Sequence, residues 1–430
     1  MPDYRKKKRS IFSAPKKTKK RSASRVSAVD NDIKMTPQKR GVKKKKEAEL
    51  RVVKGKKLAQ KRRLRAMSVT IAAAVVVITV LQLALPAGII ETVSNGLRLM
   101  GSGSYPITLE GTETLNTVSR GSHYYVLTNT YITACTGSGK RLFSYPHGFE
   151  RPVLKVSESR ALVFDQNGTQ ALIFNHKGLK STVNTEKSIL TAAISDSGNY
   201  AVATRSDKYV AAVTVYSKKG DRLYEWFSAE NNVTAIALSP NGKKLAVAGF
   251  KSGVGQYNSN ISVLNFKSAD PEFTKEFDNT LIYTLDTAHR NGFAVVSENA
   301  VSFIKWGRYK SSEYKNDYNV ALFKVSKNGS VAVFNRENDK TDNRIAVFSR
   351  GGELKSEITF KGIISDIEVF GGHIYCMSDT KIYLIGSNGE ILRKTECGFG
   401  AVKLAVTETN TATVITDNKI EKFKLKQEEK

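Results

Sequence analysis

Three carboxylates are the residues of this chain that come nearest to chemistry: Asp286, Asp366 and Glu368, which lie on or near strands that open repeats of the sequence. Two carboxylates brought together, or one beside a histidine, would serve as general acid and base on a glycan or a peptide. Little else of this kind is present. His123, His147, His176, His289 and His373 are scattered, with no paired metal spacing, and each reads as a structural or surface group. Cys135, Cys376 and Cys397 form no C-x-x-C, and their odd number argues against a disulfide framework. Buried free thiols are the expectation, with Cys376–Cys397 the one conceivable pair. The chain has no G-x-S-x-G nucleophile elbow, no D-x-D-x-D-G calcium loop and no S-x-D-x-G-x-T-W box. The glycines of Gly137–Gly139 and Gly398–Gly400 suit hairpins or junctions better than a phosphate cradle. Asp339, Asp342 and Asn343 read as a solvated polar hairpin. Trp306, Tyr309, Tyr314 and Tyr318 are either strand-face packing or a ligand patch, packing being favoured. The expectation is therefore no catalytic set, no cofactor and no metal, and a chain that is not an enzyme.

The elements that would position any such site are short strands. From Tyr105 onward, apolar runs of 4–8 residues alternate with Gly, Asn, Asp and Ser turns, and helical periodicity is almost absent. One unit recurs, a polar turn followed by a strand rich in Val, Ala, Phe or Leu. Its copies begin at Ser119, Ser157, Ser195, Ser239, Ala288, Ser326, Val369 and Thr407, at steps of 38 to 49 residues. Each copy is preceded by an apolar strand and followed by a third strand and a hairpin, with glycine at 178, 220, 351 or 352, and 389, where a tight turn needs positive φ. Four strands in about 40 residues make one blade of a β-propeller. A single four-stranded sheet cannot bury two apolar faces alone, whereas blades stacked around an axis can. The fold expected is all-β, a propeller of about eight four-stranded blades. Seven is the alternative, should the long repeat from Ser239 to Ala288 be miscounted. The last copy offers only three strands, so Tyr105–Leu109 is expected to supply its fourth and close the ring.

At Ser239-Pro240-Asn241-Gly242-Lys243-Lys244-Leu245-Ala246 the chain resembles the S-P-D-G-x-x-L-A signature of TolB-like and WD-repeat-like propellers. Ser195–Gly198 and Ser326–Gly329 are looser copies, and the Trp-Asp pair of true WD repeats is missing. The layout as a whole resembles an uncharacterised family of single-pass membrane proteins of Gram-positive bacteria: a basic tail, one span and an extracytoplasmic propeller. That resemblance implies an architecture and no site residues.

Charge and hydropathy divide the chain further. The formal net charge of +28 is concentrated ahead of residue 66, in a stretch with few apolar residues. Such a segment cannot bury enough surface to offset its ordering entropy, so residues 1–65 are expected to be a disordered tail. Residues 66–90 carry no charge and are long enough, as a helix, to cross a bilayer. They read as an uncleaved signal anchor, since the basic region before them is far too long for a signal peptide. Lys61, Arg62, Arg63 and Arg65 abut the span, which places the tail in the cytoplasm and the rest outside. The same four residues are the candidates for contact with anionic lipid headgroups. Nucleic acid is disfavoured as a partner, because the basic clusters lack interleaved aromatics and any binding motif. Residues 91–104 read as a stalk with a flexible Gly-Ser joint, and 105–426 as the propeller. The functional reading is a membrane-anchored binding module for a protein or an envelope polymer outside the cell. Its rivals are an extracytoplasmic hydrolase or lyase working in the funnel, and a transmembrane sensor.

Overall fold

The computed structural model describes Met67–Thr70 and Gly96–Gln427, apart from residues 254–255, 290–291 and 327–328. Met67–Thr70 are helical. The remainder of the expected span, the basic tail and its four headgroup candidates lie outside the described residues. Among the described residues no helix is long and apolar enough to cross a membrane.

Eight antiparallel sheets make up the ring: the first seven are built on four-stranded meanders of consecutive strands, and the eighth joins three consecutive strands to one from ahead of the first blade. The first runs Thr114–Arg120, His123–Thr128, Tyr131–Thr136 and Arg141–Pro146, from the axis outward. The innermost strands neighbour one another around the axis, and the first, Thr114–Arg120, lies against the last, Lys403–Ala405. The ring is therefore closed with eight blades. The long repeat is one blade, not a miscounted two. Its extra residues lengthen the middle strands, Leu245–Gly253 and Gln256–Leu264, and the hairpin that follows them.

The core follows from the period-two alternation of strands. The middle strands of each blade are covered on both faces over much of their length and are largely apolar there; His123–Thr128 and Ala161–Phe164 are buried at every position. Alternate residues go to opposite neighbours. Tyr125 and Leu127 pack towards blade two with Leu154, Val163 and Phe174. Tyr124 and Val126 pack towards blade eight with Ala405, Ile415 and Ile420. Eight such clusters fill the eight junctions, so no blade has a core of its own. A repeat of this kind is stable only in the ring.

Closure is made by the two chain ends. Ile107–Thr108 forms the outer strand of blade eight, with Ile107 opposite Ile420 and Thr108 opposite Lys419. Ile107 and Leu109 are buried in the junction between blades eight and one. A second clasp was not legible in the sequence. Lys426–Gln427 leaves blade eight and adds a fifth strand to blade seven, opposite Arg393 and Lys394. The described part of the stalk is tied down as well. Lys140 donates to the carbonyls of Arg98 and Met100, and Gly103 donates its backbone N–H to Ser138.

All three cysteines are buried free thiols, and Cys376 does not pair with Cys397. Cys376 sits on a middle strand of blade seven, facing blade six, and Cys397 faces blade eight. Of the two candidate hairpin glycines in blade six, Gly352 is the one with positive φ, at 81°. A Cβ there would also lie 2.3 Å from the Phe303 ring, so both conformation and space demand glycine.

Candidate functional site

The innermost strand of every blade runs towards the same face, so the inner ends of all eight blades meet at the axis. Ordered along the axis, the opening has a waist and a mouth. The waist is a cavity of about 200 Å³ lined only by innermost strands, among them Thr117, Lys155, Asp286, Lys324 and Glu368. The mouth, of about 1020 Å³, is lined by turns that join first to second strands, such as Ser195–Ser197 and Ser239–Asn241, together with Trp306, Gly307 and Arg350 between third and fourth strands, and it shares Arg120, Val156, Ile194, Thr287 and Val325 with the waist.

The signature turns build that rim. In Ser239–Lys244 the Ser239 hydroxyl accepts from the backbone N–H of Lys243 and Lys244, and Gly242 takes φ 65°. The turns also bind blade to blade. Pro240 accepts at its carbonyl from Ser197 N–H, and Asn199 donates its side-chain amide to the Gly242 carbonyl. Asp196 in turn accepts from Glu158 N–H. The short Gly and Ser residues of the motif thus serve ring geometry, which is why a motif of propellers carries no chemistry of its own.

At the waist the structure brings together two of the three carboxylates singled out above. Asp366 and Glu368 alternate on the innermost strand of blade seven, Ile364–Phe370, and so point to the same side. Lys324, from the neighbouring Asn319–Ser326, reaches between them, with Nζ 3.4 Å from Asp366 and 3.7 Å from Glu368. It also donates to the Thr117 carbonyl across the axis. Asp366 is wholly buried and accepts at its other oxygen from Leu404 N–H. Asp286 lines the cavity from blade five and stays outside this network. Lys324 was missed in the sequence because it interrupts VALFKV, a run that otherwise reads as an apolar strand. Its signal was weak: a buried cation needs a carboxylate, but Lys155 interrupts the innermost strand Pro152–Val156 in the same way.

The electrostatics follow from burial. Removal from water pushes the Glu368 carboxyl up to about 7, the nearby Lys324 charge opposing and Asp366 adding to the shift. Burial works to lower the Lys324 ammonium, but Asp366 and Glu368 outweigh it and its pKa is raised. Glu368 is thus a carboxyl that exchanges a proton near neutrality beside a fixed cation.

One titration elsewhere in the ring runs the opposite way. His123 and His176 meet at 3.2 Å between blades one and two, both buried. Burial first, then the neighbouring His176, hold His123 down to about 3. The unfolded chain therefore binds more protons at His123 below pH 6.5, and stability falls on acidification. Glu368 is the reverse: the folded state binds more protons between about pH 4.5 and 7, and stability falls as pH rises through that window. The two slopes oppose each other from about pH 4.5 to 6.5. Glu368→Gln should remove one of them. In chemical denaturation it should make stability rise with pH across that interval more steeply than in the wild type, by roughly 1 kcal/mol per pH unit. An unchanged slope would show that Glu368 titrates normally.

The remaining candidates disperse. Trp306 lines the mouth and packs on Phe293, and Tyr309 stacks on Phe273 at 4.6 Å. Tyr314 and Tyr318 bond instead to Glu357 and Asp342, so the four aromatics form no single patch. Asp342 and Asn343 correct the expectation of a solvated hairpin. Both are buried on the long strand Asp339–Ser349, Asp342 accepting from Tyr318 and Lys361, and Asn343 donating to the Gly362 carbonyl. His147 is structural, bonded to the Thr128 carbonyl and to Phe149 N–H. Among the described residues no group of three or more His, Cys, Asp or Glu is arranged to hold a metal.

No curated protein matches this sequence. A model described as a family of unknown function, DUF5711, matches residues 103–425. Among solved structures the chain is similar to BamB from Moraxella catarrhalis, at 13% identity and a TM-score of 0.50, covering 75% of this chain and 98% of that one. It is also similar to a chain in the crystal structure of a mitotic checkpoint complex, at 11% identity and a TM-score of 0.45, covering 76% and 97%. At such identities the likeness to BamB bears on the fold.

Proposed function

We propose that this chain, which belongs to the DUF5711 family, is a membrane-anchored propeller that works outside the cell as a binding module for a protein or an envelope polymer. The observation that carries the binding reading is the division of labour within the ring. Three charged groups at the axis are engaged with one another, Lys324 with Asp366 and Glu368, while the broad mouth is lined by turns from successive blades. Such a surface offers many weak contacts spread over an area, as a macromolecular partner requires. The anchoring part of the reading rests on the uncharged stretch 66–90 and on the basic residues before it, Lys61, Arg62, Arg63 and Arg65, which would meet inner-leaflet headgroups.

Protease added to wall-stripped cells should remove the ring and spare a tag on the amino-terminal tail. A protected ring would overturn the topology. Crosslinking in intact cells should then trap a discrete envelope protein or polymer. A second reading, a hydrolase or lyase in the funnel, draws on Asp366 and Glu368 at the axis. The two separate on Glu368→Gln, which leaves a trapped partner bound and unaltered under the first reading, and blocks its cleavage under the second.

A further inference from the structure

The two faces of the ring differ in charge and in what leaves them. The chain enters beside the hairpin Gly137–Lys140, through Gly103 and Ser104, and its last described residues pair near the start of Ile391–Glu396. The points where the described chain enters and leaves the ring therefore both lie on the face that carries the mouth. On the mouth face the described connections between strands hold 11 Lys/Arg and 8 Asp/Glu, whereas on the opposite face they hold 4 Lys/Arg and 11 Asp/Glu. The propeller is thus polarised, acidic on the face opposite the mouth.

That acidic face also displays apolar groups. Phe399 is 94% exposed at the tip of Cys397-Gly-Phe-Gly-Ala401, the connection from blade seven to blade eight. Gly398 and Gly400 on either side both have positive φ, and neither would meet any atom within 4 Å if given a Cβ. The loop thus stands clear of the ring and lifts the aromatic side chain away from it. Ile363, 51% exposed, stands on the preceding connection, from blade six to seven. Glu113, Asp379 and Asp417, all exposed, lie on connections of the same face in blades one, seven and eight. Cys397 N–H donates to the Thr380 carbonyl, which fixes the base of the Phe399 loop beside Asp379.

We propose that this face is a docking surface for a cationic, amphipathic protein segment, with Phe399 as the apolar anchor and the surrounding carboxylates as the charged frame. Charge complementarity selects the occupant. An exposed aromatic on a glycine-hinged tip would also suit a bilayer, but an anionic membrane is repelled by the acidic frame. The inference deepens the binding reading above by naming the partner's chemistry, and it does not depend on the membrane span.

The test uses the full chain in a neutral detergent and a fluorescein-labelled Leu/Lys helical peptide of about 18 residues, two faces of which are apolar and basic. A Lys/Ser peptide of equal charge and a Leu/Glu peptide are the comparisons. The Leu/Lys peptide should bind in the micromolar range and weaken with salt, the Lys/Ser peptide more feebly, and the Leu/Glu peptide not at all. Phe399→Ser should weaken the Leu/Lys complex by about tenfold or more, the effect of a central anchor. Glu113→Gln with Asp379→Asn should flatten its salt dependence. Because Phe399 packs on nothing, its loss leaves the fold intact, and an unchanged melting curve verifies this. Binding indifferent to Phe399 would overturn the proposal while leaving a binding module in place. Absence of peptide binding, or Phe399-dependent attachment to phosphatidylglycerol bicelles, would overturn it too. Crosslinked partners in cells would still decide the broader reading separately.

Discussion

Deletion of Tyr105–Leu109 should lower the melting temperature of the ring by on the order of 10 °C or more, measured by differential scanning calorimetry of the full chain. The segment is five residues long, but it closes a sheet and seals a junction. Ile107 and Leu109 are buried between blades eight and one, and truncating one buried aliphatic side chain costs roughly 2–5 kcal/mol. Its loss also strips the ladder from Lys419–Lys424 and leaves an unpaired edge. A domain holds only about 5–15 kcal/mol in all, so two such losses approach the limit of folding. The effect spreads beyond blade eight, because each blade is stable only against its neighbours. Removing Lys426–Lys430 should do less, since Lys426 and Gln427 add a fifth strand to a blade that already has its four, whereas Ile107–Thr108 supplies a blade's fourth strand. An unchanged melting temperature after the first deletion would mean that the ring closes without its amino-terminal strand.

Lys324→Met should destabilise the ring by roughly 3–5 kcal/mol, because it leaves two carboxylates in a site that withholds water from them. Asp366 is fully buried and Glu368 is 6% exposed. The lower end of that range is expected, since the Lys324 side chain is itself 20% exposed and the pair is partly hydrated from the funnel. The cost belongs to the orphaned charges and not to the lost lysine. A triple variant with Asp366→Asn and Glu368→Gln should therefore recover at least half of the stability in urea denaturation. The amide introduced by Asp366→Asn would keep an oxygen for Leu404 N–H, which preserves the joint to blade eight. A triple variant as unstable as the single one would show that Lys324 acts through packing instead.

Of the fold, the repeat, the number of strands in it and the amino-terminal clasp were all written in local patterns. A polar turn, an alternating strand and a hairpin glycine each announce themselves within ten residues, and eight copies make the pattern audible above its irregularities. The clasp was legible by subtraction, since the last repeat lacked a strand and Tyr105–Leu109 lacked a blade. The second clasp was not, because Lys426–Gln427 has no pattern and pairs only because the chain happens to leave blade eight beside an open edge. Asp342 and Asn343 were misread for a related reason. They are polar and close to a turn, but the long strand Asp339–Ser349 carries them under Tyr318 and against Gly362. Polarity alone does not measure burial where partners come from other strands.

The sequence by itself determined the all-β ring of four-stranded blades and left their number at eight or seven, because strand period, turn chemistry and repeat length are properties of neighbouring residues. It placed Asp366 and Glu368 on an innermost strand for the same reason. Only the tertiary structure decided what those carboxylates face, that Lys324 closes on them, and that Asp286 stands apart, because these depend on which strands the ring brings together at the axis. It alone also decided that the described chain enters and leaves the ring on the basic face and that Phe399 rises from the acidic one. Which face a connection occupies follows from strand direction within a closed ring, and a charge count along the chain averages the two faces into one number.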